Sequence, residues 1–264
     1  MKTHRPLVLG YHAVSSTWRA QLAVPEAALR SQLARLKSRG YVGLTMAEAE
    51  RRRGDGSLPA RTVVVTFDDG YASTLRALPI LAELGFPATV FIVTRFVESG
   101  EPLRWAGIEE WQAAGELDEL RPLRWSDLEA LAAAGWEVGS HTHSHPLLTA
   151  VDDQRLRHEL ETSRSAIAAR LGSCDSLSYP YGVADERVAR ATEGCGYSVA
   201  CALTFTHLVD EPFRRPRTGL SGTDTGLRLW LQVSDVGQRA RRGPTARLAR
   251  SLHRRRSWLP SGSQ

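Results

Sequence analysis

Two short segments carry residues whose types and spacing could do chemistry. Thr66-Phe67-Asp68-Asp69-Gly70-Tyr71 directly follows the β-branched run Thr62-Val63-Val64-Val65. Adjacent carboxylates repel, so both stay ionised only beside positive charge, a metal ion or an arginine. The bland alternative is an N-cap pair opening the helical segment that follows. The second segment is Ser140-His141-Thr142-His143-Ser144-His145-Pro146. Three histidines in five residues are hard to explain as packing, and His141 with His145 brings two imidazoles to one metal if the segment turns. With one carboxylate they make a two-histidine, one-carboxylate set with positions open for water and substrate. An exposed polar loop is the bland alternative here. A third segment, Ser178-Tyr179-Pro180-Tyr181-Gly182, combines Pro and Gly in a sharp turn whose backbone N–H groups can point at a developing oxyanion.

The elements around these segments place them on one rim. Short apolar runs alternate with helix-period segments, the pattern of βαβ units and a parallel sheet or barrel. Strands are expected near Leu7–Tyr11, Tyr41–Leu44, Thr62–Phe67, Ala88–Val93, Glu137–Ser140, Ser176–Tyr179 and Tyr197–Ala200, seven in all. Helices are expected after Pro25 with Leu29, Leu33 and Leu36 at helical spacing, and over Thr74–Leu84, Ser126–Ala134 with Ser126 as N-cap, Asp153–Leu171 and Asp185–Glu193. Both chemical clusters then leave the C-terminal ends of strands, where parallel barrels place their active sites. His12, leaving the first strand, faces the same rim. The stretch Glu98–Arg124, with Trp105 and Trp111 among several glycines, fits no barrel helix and reads as an inserted lid or rim loop.

Composition sets the outer limits. A chain of 264 residues, 42% hydrophobic and 24% charged, is an ordinary globular one with one or two domains. The net charge of +5 belongs to the end of the chain, because eight arginines and no acidic residue follow Asp235, and without them residues 1–235 carry −3. The organisation expected is a barrel over 1–238 and a basic, flexible tail over 239–264. That tail has no nucleic-acid motif, so the partner it implies is a weak contact with a membrane surface or an anionic polymer. Cys174, Cys195 and Cys201 are odd in number and lack C-x-x-C spacing, which argues against a disulfide framework or a thiolate zinc site. The N-terminus lacks a signal-peptide h-region and no run approaches a membrane span, so the location expected is cytoplasmic, with a membrane-peripheral one as the alternative.

The sequence resembles the polysaccharide deacetylases, the NodB-homology or carbohydrate esterase family 4 domain, over about residues 5–235. The resemblance rests on TFDDGY at 66–71, SHTHSHP at 140–146 and YPYG at 179–182, in the family's order. It implies a distorted (β/α)7 barrel, an N-acetylated saccharide substrate in polymer, oligomer or glycolipid, and a divalent metal, usually zinc. By similarity Asp68 is the catalytic base and Asp69, His141 and His145 are the metal ligands, while His143 is not. The Tyr181 backbone N–H is the expected oxyanion donor, and Tyr71 and Pro180 the expected substrate contacts.

Two departures from the family's pattern matter. Its third motif commonly begins with an Arg that pairs with the catalytic Asp, and Ser178 stands there instead. Arg217, with Arg215 as second choice, is expected to return a guanidinium to Asp68. The family's C-terminal Leu-x-His motif, source of the general acid, has no clear counterpart; His12 is the candidate, with His207 and His253 less suitably placed. The alternatives are a metal-retaining but impaired saccharide-binding module, or a deacylase of a small non-polymeric N-acyl compound.

Overall fold

Seven strands pair in parallel around a closed ring in a computed structural model that describes residues 4–113, 115–203 and 210–233. They are β1 (Leu7–Tyr11), β2 (Thr62–Phe67), β3 (Ala88–Ile92), β4 (Glu137–Ser140), β5 (Ser176–Ser178), β6 (Val199–Leu203) and β7 (Arg215–Gly219). Each strand pairs with the next, and β7 pairs with β1 to close the barrel. Six of the seven were expected from the apolar runs. The exceptions are instructive. Val42–Gly43 is a two-residue spur on the start of β2, with Val42 exposed, and no member of the ring. The seventh ring strand is β7, whose Arg-Pro-Arg-Thr-Gly has no apolar signal.

Period-two alternation decides which side chains fill the barrel. Leu7, Leu9, Tyr11, Val63, Val65, Phe67, Val90 and Ile92 face outward into the main core beneath the helices. Val8, Val64, Phe91, Val199 and Cys201 face inward and pack with Met46, Ala49 and Leu58, so helix α2 (Met46–Gly54) closes the N-terminal end. Asp68 continues the inward series of Val64 and Thr66, and Ser178 and Arg217 continue those of Ser176 and Arg215. The same alternation that builds the core therefore aims these groups at the opposite, C-terminal mouth.

The outer helices follow the expected apolar spacing. In α1 (Glu26–Ser38) Leu29, Leu33 and Leu36 are buried. Helix α3 (Ala77–Leu84) is preceded by a 3-10 turn over Ala72–Arg76 and ends at Gly85 in the left-handed region. Helix α4 (Trp125–Ala133) starts one residue before the expected N-cap: Arg124 occupies that position, and the Asp127 carboxylate accepts its N–H at 2.8 Å, so Ser126 lies inside the helix. In α5 (Asp153–Leu171) and α6 (Glu186–Gly194) the caps are Asp152 and Asp185, which accept from Arg155 and Val188. Helix α7 (Gly226–Val233) completes the described chain.

The expected lid is more ordered than a loop. Short helices cover Thr94–Ser99 and Glu109–Ala113, and Phe96, Leu103, Ile108 and Leu120 form a satellite core with Trp18, Tyr71 and Val93. Trp105 and Trp111 pack on its edge. No helix among the described residues is long and apolar enough to cross a membrane. The tail expected over 239–264, with His253, and the alternative histidine His207 lie outside the described residues.

Candidate active site

Asp69, His141 and His145 converge at the barrel mouth. Each is buried, and their ligand atoms all lie within 4.8 Å of one another. Asp69 Oδ1 lies 3.3 Å from His141 Nε2 and 3.5 Å from His145 Nε2. Two atoms each about 2.1 Å from a tetrahedral zinc are about 3.4 Å apart, so the donor set fits an ion of that size. The backbone is bent to achieve this: Asp69, Thr142 and His145 all have left-handed φ, at 71°, 71° and 63°. His141 Nδ1 is held by the Ser178 carbonyl at 2.7 Å, which leaves Nε2 facing the centre. Burial opposes charge on His141, but Asp68 and Asp69 outweigh it and raise its pKa, whereas burial and the neighbouring His141 push His145 down to about 3. The two carboxylates thus draw positive charge to a buried point. His143 stands apart, with Nδ1 3.1 Å from the Thr94 hydroxyl.

Asp68, beside this triad, is gripped by Arg217 through two hydrogen bonds, Nη1 to Oδ1 at 2.7 Å and Nη2 to Oδ2 at 2.6 Å. Arg217 also donates to Thr66 Oγ1 at 3.0 Å and Ser178 Oγ at 2.7 Å. Burial alone would raise the Asp68 carboxyl, but the Arg217 guanidinium and the nearby His141 overcome it and hold Asp68 far below the usual carboxylate range. Arg215, the second choice, is directed elsewhere: it pairs with Glu50 at 2.6 Å and Asp210 at 2.8 Å, away from Asp68. The role of Ser178 was not visible from the sequence, where it registers only as a missing Arg. Its small side chain both leaves room for Arg217 and bonds it.

A cavity of about 1220 Å³ opens over these groups. His12, Asp68, Asp69, His141, His145 and Tyr181 all line it. His12 is half-buried on this wall, and among the described residues its ring makes no hydrogen bond. Tyr181 sits at the turn with φ 59°, and no acceptor among the described residues takes its backbone N–H. Its phenol donates to the Ala106 carbonyl at 3.1 Å, and its pKa is pushed up to about 12 by burial and the charge of Asp69. The following Gly182 is required, because a Cβ there would meet the Leu203 side chain at 2.3 Å. Trp105 reaches in from the lid and stacks on His145 with ring centroids 4.2 Å apart, a contact foreshadowed only by its place in the inserted stretch. Tyr71 and Pro180 correct the expectation of substrate contact. Both are buried and neither belongs to the cavity wall. Tyr71 packs on Trp18 at 5.6 Å in the satellite core beneath the lid, and Pro180 fixes the turn from behind.

Comparison with known proteins matches this arrangement. A model of the polysaccharide deacetylase family aligns with residues 55–200. The poly-beta-1,6-N-acetyl-D-glucosamine N-deacetylase of Escherichia coli K12 is 40% identical over 80 residues, which are 30% of this chain and 12% of that protein. A chitooligosaccharide deacetylase of Rhizobium leguminosarum bv. phaseoli is 29% identical over 151 residues, 56% of each. The chain therefore spans little more than half, or far less, of the length of these curated relatives. Among solved structures, the Streptococcus pyogenes deacetylase PplD in complex with acetate superposes with a TM-score of 0.73 at 20% identity, covering 87% of this chain and 98% of that one. IcaB from Ammonifex degensii superposes at 0.66 and 24% identity, covering 88% and 96%. These two likenesses establish the (β/α)7 fold. With the family model covering more than half of the 264 residues, including the paired aspartates, the histidine loop and the YPYG turn, the chain belongs to the polysaccharide deacetylase family.

Proposed function

We propose that this protein is a metal-dependent N-deacetylase that removes the acetyl group from an N-acetylated sugar. The observation that carries the reading is the convergence, in one cavity, of a buried Asp69–His141–His145 donor set with the Asp68–Arg217 pair. Nitrogen and carboxylate donors without thiolate suit zinc. When bound, such an ion supplies Lewis-acid polarisation of the acyl carbonyl and a more acidic water. The chain's own groups do the rest. Asp68, kept ionised by Arg217, accepts the proton of the attacking water at its carboxylate. The free Tyr181 N–H donates to the carbonyl oxygen as negative charge grows there. His12, which lines the same cavity, delivers a proton to the departing amine. Trp105 and the lid shield this chemistry from bulk water.

Acetate release from N-acetylglucosamine oligomers, glycolipids and nucleotide sugars, in zinc and beside Asp68→Asn, tests the reading. Release from at least one of them by the wild type and loss in the variant is expected. Zinc binding with no release from any would leave a binding module instead. Release from the nucleotide sugar alone would assign a small, non-polymeric substrate. For the segment 239–264, eight arginines without an acidic residue support a separate tail that adds weak contact with anionic surfaces. Deleting it should leave acetate release from soluble oligomers unchanged and reduce sedimentation with phosphatidylserine vesicles; equal sedimentation of both forms removes the idea.

A further inference from the structure

The two histidines of the donor set are held differently. His141 has its second ring nitrogen bonded to the Ser178 carbonyl at 2.7 Å. The corresponding Nδ1 of His145 is buried and has no hydrogen-bond partner among the described residues. Metal-bound histidines are usually oriented by a bond at that second nitrogen, so His145 must be positioned by other means. Ring contacts with Trp105 and Tyr181 limit its tilt. Its place in space depends on the backbone of the loop, and that backbone is strained. Thr142 and His145 are non-glycine residues in the left-handed region, a conformation costing on the order of 1–3 kcal/mol each, which persists only where the surroundings enforce it.

Among the groups that enforce it, the charged one next to His145 is Glu159. It lies on α5, fully buried, with its carboxylate turned toward the loop. Glu159 Oε2 accepts the Ser144 backbone N–H at 2.7 Å and Oε1 accepts the Ser144 hydroxyl at 2.6 Å. Arg155, one turn earlier on α5, donates to Glu159 Oε1 at 2.9 Å and to Ser144 Oγ at 3.0 Å. The other braces are neutral: Ser140 Oγ accepts from Thr142 N at 3.1 Å, Thr142 Oγ1 accepts from His145 N at 3.0 Å, and the backbone N–H groups of Thr94 and Arg95 donate to the Thr142 and His143 carbonyls at 3.3 and 3.0 Å. Glu159 is thus the buried charged group tying the loop to the body of the barrel, at the residue immediately before the ligand that lacks its own bond.

We infer that Glu159 is a positioning residue for the metal centre: its two bonds to Ser144 hold His145 in ligating geometry and so set how tightly the metal is held. The inference rests on the proposed ligand set and adds to it a determinant from outside the three histidine and aspartate motifs. The test is zinc titration of the full, metal-free chain against a chromophoric chelator, with thermal unfolding and acetate release alongside. Glu159→Gln keeps the size of the side chain and replaces one accepting oxygen with a donor. It should raise the zinc Kd about 10-fold or more, in the range found for such supporting partners. Its kcat should return toward the wild-type value when zinc is in excess. Ser144→Ala removes one bond and should raise the Kd in the same direction by less. A zinc Kd within twofold of wild type in folded Glu159→Gln overturns the inference, even if the melting temperature falls, because a purely structural brace would lower stability without loosening the metal. If Glu159→Gln does not fold, an unchanged Kd in Ser144→Ala overturns it equally. His145→Ala separates the two levels: if that variant keeps the wild-type Kd, the ligand reading itself is wrong.

Discussion

At the scale of single residues, Asp68 and Asp69 are neighbours in the chain with opposite dependencies. Asp69 turns through the left-handed region toward the histidines, while Asp68 stays in the strand's inward series and meets Arg217. Asp68→Asn keeps the shape and removes the base. It should lower kcat by about 100- to 10,000-fold, with zinc Kd little changed, which steady-state kinetics and metal titration read separately. Arg217→Ala has a different signature. Both partners of the pair are almost fully buried, at 1% and 6% side-chain exposure, and removing one leaves an uncompensated charge. The expected cost is about 3–5 kcal/mol of stability, measurable by denaturant unfolding, together with loss of activity. Arg217→Lys retains charge without the two-pronged geometry and should recover more stability than activity.

At the scale of elements, what was readable in the sequence depended on how each element hides its polar groups. Strands β1 to β6 announce themselves because apolar side chains face the helices, and the chemical motifs sit directly after three of them. Strand β7 was silent for a physical reason: its inward residues are Arg215 and Arg217, buried by ion pairs with Glu50, Asp210 and Asp68. Glu50 and Asp68 lie far away in sequence, so no local period reports it. Arg217 was expected from the family resemblance, as a replacement for the Arg missing at Ser178, although the strand carrying it was not expected. Conversely, Tyr41–Leu44 has strand-like residues but supplies only a spur. Tyr71 and Pro180 lie within the motifs and were expected at the substrate from the resemblance, yet their apolar surface fixes the lid and the turn. Glu159 left no recognisable signal, and Ser178 and Trp105 showed only as a missing Arg and as part of an inserted stretch, since their importance comes from contacts across the fold. For the lid this gives a direct test. Trp105→Ala removes the ring stacked on His145 and should reduce kcat/KM by about 2- to 10-fold, as loss of about 0.5–1.5 kcal/mol of ring contact implies. Trp105→Phe should recover part of it. An unchanged kcat/KM in the alanine variant would separate the lid from the site.

At the scale of the whole molecule, the donor set ties distant parts of the chain together. Asp69 follows β2, while His141 and His145 follow β4, and the intervening chain includes β3, the lid and α4. An unfolded chain cannot hold these three atoms within 4.8 Å of one another, so a metal that binds them favours the folded state. With free zinc at about 100 times its Kd, that preference amounts to about 2.7 kcal/mol. For a chain of this size each kcal/mol moves the melting temperature by about 2–4 °C, so zinc should raise Tm by about 5–11 °C over protein stripped with a chelator. Calorimetry or circular dichroism reads this without any substrate. Asp69→Asn and His141→Ala should melt at the same temperature with and without zinc, whereas Asp68→Asn should keep the full shift, because in the proposed mechanism its carboxylate serves the reaction and not the metal. If zinc leaves the wild-type Tm unmoved, the three donors do not act as one site in solution. A shift retained in His141→Ala would place the ion elsewhere on the barrel.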